Sequence, residues 1–282
     1  MATSLDFPTL RSVMRNVCGI GFFPADVSPT DLVGRFKPGD ALPLTIVGTG
    51  FLIRPQMLLT ARHVVDSLTE PVYGLGSRAI PRERIVFVFI DYLESGKEIS
   101  ITFARRADTF MILTEEPDTA SRSKRLDLTW TPLLEPIGGP GAANPPRGLP
   151  VLNTGLVHVG QSIVVPSYYA TEALLNHWTL ARPRYGPTLL HGHVAAISPH
   201  GLTNDGSATE YLIDITAAGG ISGSPVLDVP TGQVLGMVRG QLEMSQPRMP
   251  LDVAFALPIT PWLLEQVVDQ SFVLARWPGV NS

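Results

Sequence analysis

The sequence predicts an all-β protein, on three observations. Short apolar or alternating runs recur along the whole chain, each bounded by Gly, Pro, Asp or Asn. The 282 residues include 26 Gly and 26 Pro, the punctuation of many short strands in barrels or sandwiches. Sustained helical periodicity appears mainly near the C-terminal end.

Taken in order, the first group of strand-like runs is Leu44–Ile53, Met57–Thr60, Ile85–Tyr92, Ile99–Ala104 and Leu126–Trp130. Then comes Glu135-Pro136-Ile137-Gly138-Gly139-Pro140-Gly141, continuing through Asn144-Pro145-Pro146-Arg147-Gly148. No regular element is expected to survive that density of Pro and Gly, so residues 135–150 read as a linker. The second group is Ser162–Val165, Gly192–Ile197, Tyr211–Ile215, Val226–Asp228, Val234–Arg239 and Val253–Leu257. Thr260 is placed to cap a final helix with Pro261 at its first position, and Leu264, Val267 and Val268 then share a face. The organisation expected is a single domain over 1–282. Its parts are strands in 10–134, the linker at 135–150, strands in 151–259 and a helix over 260–271.

Composition narrows the function classes. Apolar residues make up 44% and charged residues 16%, which describes a folded globular chain. A net charge of −4 gives no basic face, so no nucleic-acid partner is expected. The apolar runs, such as Ile85–Ile90, are too short to span a bilayer as helices, and no membrane partner is expected. Cys18 is the only cysteine, which rules out an intrachain disulfide. The opening Met1-Ala2-Thr3-Ser4-Leu5-Asp6-Phe7-Pro8 shows no signal-peptide pattern, so a cytoplasmic location is expected. A secreted mature form would look similar.

Two segments carry chemistry. Leu58-Leu59-Thr60-Ala61-Arg62-His63-Val64-Val65 puts a histidine just after an apolar strand-like run. Gly219-Gly220-Ile221-Ser222-Gly223-Ser224-Pro225-Val226 puts a hydroxyl among small residues whose amides can face an oxyanion. In that order, the two resemble the Thr-Ala-x-His and Gly-x-Ser-Gly-[Gly/Ser]-Pro motifs of trypsin-like serine peptidases. The strands Val47–Ile53, Val159–Val165, Tyr211–Thr216, Val234–Val238 and Val253–Ile259 are similar to that family's strands as well. The likeness is greatest to bacterial, disulfide-free members of the glutamyl endopeptidase and HtrA type. It implies a chymotrypsin-like fold of two antiparallel six-stranded β-barrels with a C-terminal helix, and serine endopeptidase activity in the cleft between the barrels.

A serine hydroxyl needs an adjacent base to take its proton during attack. Imidazole, with an ordinary pKa of about 6.5, suits that task near neutrality. The resemblance implies Ser222 as nucleophile, His63 as base and then acid, and Asp127 as the carboxylate that orients the imidazole. Asp127 stands in the alternating Leu126-Asp127-Leu128-Thr129-Trp130, between His63 and Ser222; Asp108 and Asp118 are also in range. The oxyanion hole is assigned to the amides of Gly220 and Ser222, with Gly220 expected at positive φ or at a close backbone approach and Gly223 giving room.

Ile221 departs from animal trypsins, which have an aspartate there that pairs with a newly cut N-terminus. The loop is therefore expected to be held by local packing or by an activating partner. Such an enzyme needs no metal or organic cofactor, and its partner is a protein or peptide substrate. By resemblance, Thr216, Ala217, Val238, Arg239 and Gly240 bind substrate in a neutral, mostly apolar pocket that favours small or apolar residues before the scissile bond. Arg239 and its neighbours also suit pairing with substrate backbone, or Arg239 is a solvated rim charge. The alternative reading is a silent or partner-activated trypsin-fold protein acting as a binding scaffold. His191 and His193 read as rim or core histidines without further metal ligands nearby, and Cys18 as a buried small hydrophobe.

Overall fold

The computed structural model describes residues 12–23, 45–54, 57–69, 80, 84–92, 99–106, 109–114, 125–138, 149, 157–168, 188–198, 210–216, 219–241, 253–261, 263–264 and 272–276. Seven strands come from the first half of the chain: β1 (Val17–Phe22), β2 (Thr45–Arg54), β3 (Met57–Thr60), β4 (Ile85–Tyr92), β5 (Ile99–Arg106), β6 (Thr109–Thr114) and β7 (Arg125–Gly138). Helix α1 (Arg62–Thr69) follows β3. The later strands are β8 (Ser162–Ser167), β9 (Thr188–Ser198), β10 (Glu210–Ile213), β11 (Pro225–Asp228), β12 (Val234–Gln241), β13 (Ala254–Pro258) and β14 (Phe272–Arg276).

The chain is mostly β, as the sequence predicts. Strands β10-β13-β12-β11-β8-β9 close into a six-stranded barrel. The other sheet has eight strands in the order β14-β6-β7-β3-β2-β1-β4-β5, with an additional β5–β7 pairing, and does not form a closed barrel. Strand β14 was not anticipated: it pairs antiparallel with β6, from Phe272 opposite Leu113 to Arg276 opposite Thr109. Strand β7 also runs on to Gly138, into the segment assigned as linker. Pro132 and Pro136 sit within β7, where their Cα partners are Met57 and Ala104. Leu149, late in that segment, is buried, and its amide donates to the carbonyl of Leu52 at 2.7 Å. At the start of the expected final helix, the Thr260 hydroxyl accepts from the Leu263 amide at 2.9 Å, the capping bond anticipated for this residue. Residues 265–271 lie outside the described residues.

Strand residues alternate between the two faces of a sheet, and on the barrel strands β8 and β12 residues of both faces are buried. Ile163, Val165, Leu235 and Val238 point into the barrel, where they pack with Val194, Tyr211, Ile213 and Ala256. Their neighbours Val164, Val234 and Met237 point the other way and join a second core that includes Phe51, Leu58, Leu59 and Phe87 of the first sheet. That is why β8 and β12 read as continuous apolar runs. One face fills the barrel, and the other glues the barrel to the N-terminal sheet.

Removing side-chain volume from the sealed barrel interior leaves a cavity. Leu235→Ala is expected to cost about 2–5 kcal/mol of stability, read as a lowered urea midpoint at unchanged slope.

Candidate active site

His63 lies in the first turn of α1, immediately after β3 carries the chain through the core. The first amides of a helix have no partner within it. The His63 amide finds one in the Oδ1 of Asp127, at 3.0 Å. The Oδ2 of the same carboxylate lies 2.8 Å from His63 Nδ1. One side chain thus caps the helix and fixes the ring, favouring the tautomer with its proton on Nδ1 and a free Nε2. Asp127 is carried by β7, paired with β3 through Thr129 and Thr60. Burial pushes the Asp127 carboxyl's pKa upward. The hydrogen bond from the His63 ring, the charge of that ring, the His63 amide and the nearby Arg239 guanidinium together outweigh burial, and the carboxyl is held below its ordinary range. Asp108 and Asp118 lie outside the described residues.

The serine loop is built by glycines in the left-handed region. Gly220 has a φ of 92° and Gly223 a φ of 85°. A Cβ on Gly223 would overlap the carbonyl oxygen of Thr49 and the hydroxyl of Thr60, and would lie 3.1 Å from the Ala61 amide nitrogen. Gly223 is therefore the contact through which the serine loop presses on the strand leading to His63. Ile221 is buried inside the second barrel with Val226 and Val238. Local packing thus holds the loop at the position where an ion pair with a new N-terminus would act. Among the described residues, no acceptor is present for the amides of Gly220 or Ser222. The Ser222 hydroxyl donates to the carbonyl oxygen of Arg239 at 3.4 Å, a long and weak bond, and not to His63.

Thr49 ties the two halves together at this point. Its amide donates to the Ser222 carbonyl at 2.9 Å, and its hydroxyl donates to the Gly220 carbonyl at 2.8 Å. The same hydroxyl accepts from the Tyr168 amide at 2.9 Å. The Thr49 carbonyl accepts from the Thr60 hydroxyl at 2.7 Å. Sequence reasoning passed over Thr49 as one residue of a similar strand. The signal available was a polar side chain between two glycines in an otherwise apolar run.

The residues assigned to substrate binding fall differently. Thr216 is exposed at the end of the segment after β10. A Cβ on Gly240 would meet nothing within 4 Å, so space is open beside it. Val238 is fully buried, with its side chain in the barrel core, which corrects its assignment as a pocket-lining side chain. Its backbone instead bonds Gly223 and Ser224 of the serine loop. Ala217 lies outside the described residues. The side chain of Arg239 is partly exposed and its guanidinium lies beside two carboxylates. Its Nη1 donates to Glu210 Oε1 at 3.2 Å, and its Nε lies 3.8 Å from Asp127 Oδ2. Glu210 gave no signal in the sequence, because its partner is 29 residues away on another strand.

A second histidine–aspartate pair occurs on the barrel. The amide of His193 donates to Asp214, whose Oδ2 also lies 3.4 Å from His193 Nδ1. Both side chains are about half exposed. Among the described residues, no group of three or more His, Cys, Asp or Glu could hold a metal ion. Likewise, no described helix is long and apolar enough to cross a membrane. Cys18 is fully buried, and burial pushes its thiol pKa well up, away from nucleophilic character.

An imidazole fixed by a carboxylate on one side of a seam, with a clamped glycine-rich serine turn on the other, defines a hydrolase-type site on a β scaffold. The model of the trypsin-like peptidase domain matches residues 48–237, more than half of the chain, and the chain belongs to that family. No curated protein matches.

Thr49→Val keeps the shape of the side chain and removes the hydroxyl's bonds to the Gly220 carbonyl and the Tyr168 amide. The expected cost is about 2–4 kcal/mol in denaturant unfolding. The depressed Asp127 carboxyl gives a pH signature. Its contribution to stability is fully present above its unfolded pKa, near 4, and is lost as pH falls through the lower folded value. Between about pH 5 and pH 2 the wild type is therefore expected to lose more stability than Asp127→Asn, as measured by thermal midpoints across pH.

Proposed function

We propose that the chain is a serine endopeptidase that works through Ser222, His63 and Asp127. The observation that carries this reading is Asp127 gripping both the amide and Nδ1 of His63 while Gly223 of the serine loop packs against the same strand end. In the proposed reaction the Ser222 hydroxyl turns from the Arg239 carbonyl toward Nε2 of His63. It gives up its proton there as Oγ attacks the substrate carbonyl carbon. The negative oxygen so formed is met by the amides of Gly220 and Ser222. His63 then passes its proton to the leaving amine as the C–N bond breaks, leaving an acyl-enzyme. Water, deprotonated by His63, releases the acid and restores the serine.

The finer architecture belongs to this proposal. The β5–β7 pairing supports reading the N-terminal sheet as the counterpart of a first barrel, and the Thr260 cap supports a C-terminal helix. The exposed Thr216 and the open space at Gly240 support a neutral pocket that takes small or apolar side chains. The lone Cys18 and the packed Ile221 fit a disulfide-free enzyme without a zymogen ion pair.

One observation favours a second reading, a scaffold or partner-activated protein. The Ser222 hydroxyl donates to the Arg239 carbonyl at 3.4 Å and not to His63. A fluorophosphonate probe separates the two. The peptidase reading expects labelling of the wild type and none of Ser222→Ala or His63→Ala. Labelling only with an added partner marks the conditional enzyme, and none under any condition marks the scaffold. Asp127→Asn is expected to cut turnover on the order of 10⁴-fold, measured on a peptide library.

A further inference from the structure

Arg239 is the extra residue of a β-bulge. Along the β12–β13 ladder Val238 pairs with Ala256 and Gly240 with Phe255, which leaves Arg239 without a Cα partner. A bulge twists the strand locally and re-aims the side chain it carries. Here the guanidinium is aimed at two carboxylates at once, 3.2 Å from Glu210 on β10 and 3.8 Å from Asp127 on β7. A lone arginine beside Asp127 would compete with the imidazolium for the carboxylate's charge. Glu210 stands closer to that arginine than Asp127 does, and the Glu210–Arg239 pair carries no net charge.

We propose that Glu210 and Arg239 act as a positioning pair that sets how much of Asp127's charge is available to protonated His63. This rests on His63 serving as base in the proposed peptidase. With the pair intact, Arg239 steadies the Oδ2 edge of Asp127 while Glu210 offsets its charge. Without Glu210, the unpaired guanidinium draws on Asp127 and the imidazolium loses support. Without Arg239, two carboxylates face the imidazole with no cation between them, and the imidazolium gains support.

No other described group does this work. Of the elements packed against α1, β7 contributes Asp127 alone among its described titratable side chains, and β2 contributes none. On α1 itself, Arg62 and Asp66 pair with each other at 3.3 Å. Beside β10, β9 carries His191 and the Asp214-paired His193, and β13 carries no titratable side chain.

The test is the titration midpoint of His63, followed by NMR of its ring proton in a Ser222→Ala background, with the resonance assigned by His63→Gln. A readout on the ring itself does not depend on turnover. Glu210→Gln is expected to lower the midpoint and Arg239→Gln to raise it, each by about 0.5 pH unit. The double variant is expected to return close to the parent. Shifts of the same sign, or none, in folded proteins would overturn the pair. If Arg239→Gln does not fold, the direction given by Glu210→Gln decides alone. The pH dependence of fluorophosphonate labelling in the Ser222 protein separates the two proposals. Opposite midpoint shifts without any labelling uphold the pair and sink the peptidase reading, whereas labelling with unmoved midpoints sinks the pair alone.

Discussion

The site depends on Thr49 more than on any residue with a chemical role. It is buried in β2 of the N-terminal sheet, yet its amide and its hydroxyl both donate to carbonyls of the serine loop. The hydroxyl also receives the amide that follows β8 of the barrel, and the Thr49 carbonyl takes the hydroxyl of Thr60, three residues before His63. An unpaired polar group in such a place carries a penalty of its own, so the bonds stand or fall as a set. They fix the register between two sheets whose shared core is apolar packing, which has no direction. The hydrophobic core brings the halves together; Thr49 decides where they stop.

Asp127 solves a related problem on the same side of the seam, on β7 of the N-terminal sheet. A short helix starting at Arg62 would leave its first amides without partners, and a free imidazole would sample several rotamers. One carboxylate answers both needs, so the local fold of α1 and the tautomer of His63 are set together. Burial alone would favour a neutral acid there. The contacts with His63 outweigh it, and the charge stays in place to stabilise an imidazolium.

Much of this was legible in the chain. Apolar runs cut by Gly and Pro marked most strands, and the two short motifs marked the histidine, the serine and the positive-φ Gly220. Asp127 was marked less sharply, by the alternating residues around it, with Asp108 and Asp118 also in range. Legibility failed where the determinant was a contact between distant segments. Thr49 meets Ser222 across most of the chain, and Glu210 meets Arg239 through a bulge whose register no periodicity announces. Strand β14 was missed because an edge strand needs a partner in β6 more than a pattern of its own. Val238 was read by resemblance as pocket lining, but the alternation of β12 sends its side chain into the barrel.

The placement of Ser222 follows from three consecutive residues with separate duties. Ile221 drives its side chain into the barrel interior, anchoring the loop to one half of the molecule. Gly223, lacking a side chain, lets the backbone lie against Thr49 and Thr60 of the other half. Between them Ser222 has no freedom of position, only a rotation of its hydroxyl. The loop is thus pinned to both halves without a terminal ion pair. In trypsins that need cutting, a charge ordered late in maturation supplies that rigidity. Here a buried branched aliphatic side chain, that of Ile221, stands at that point of the loop.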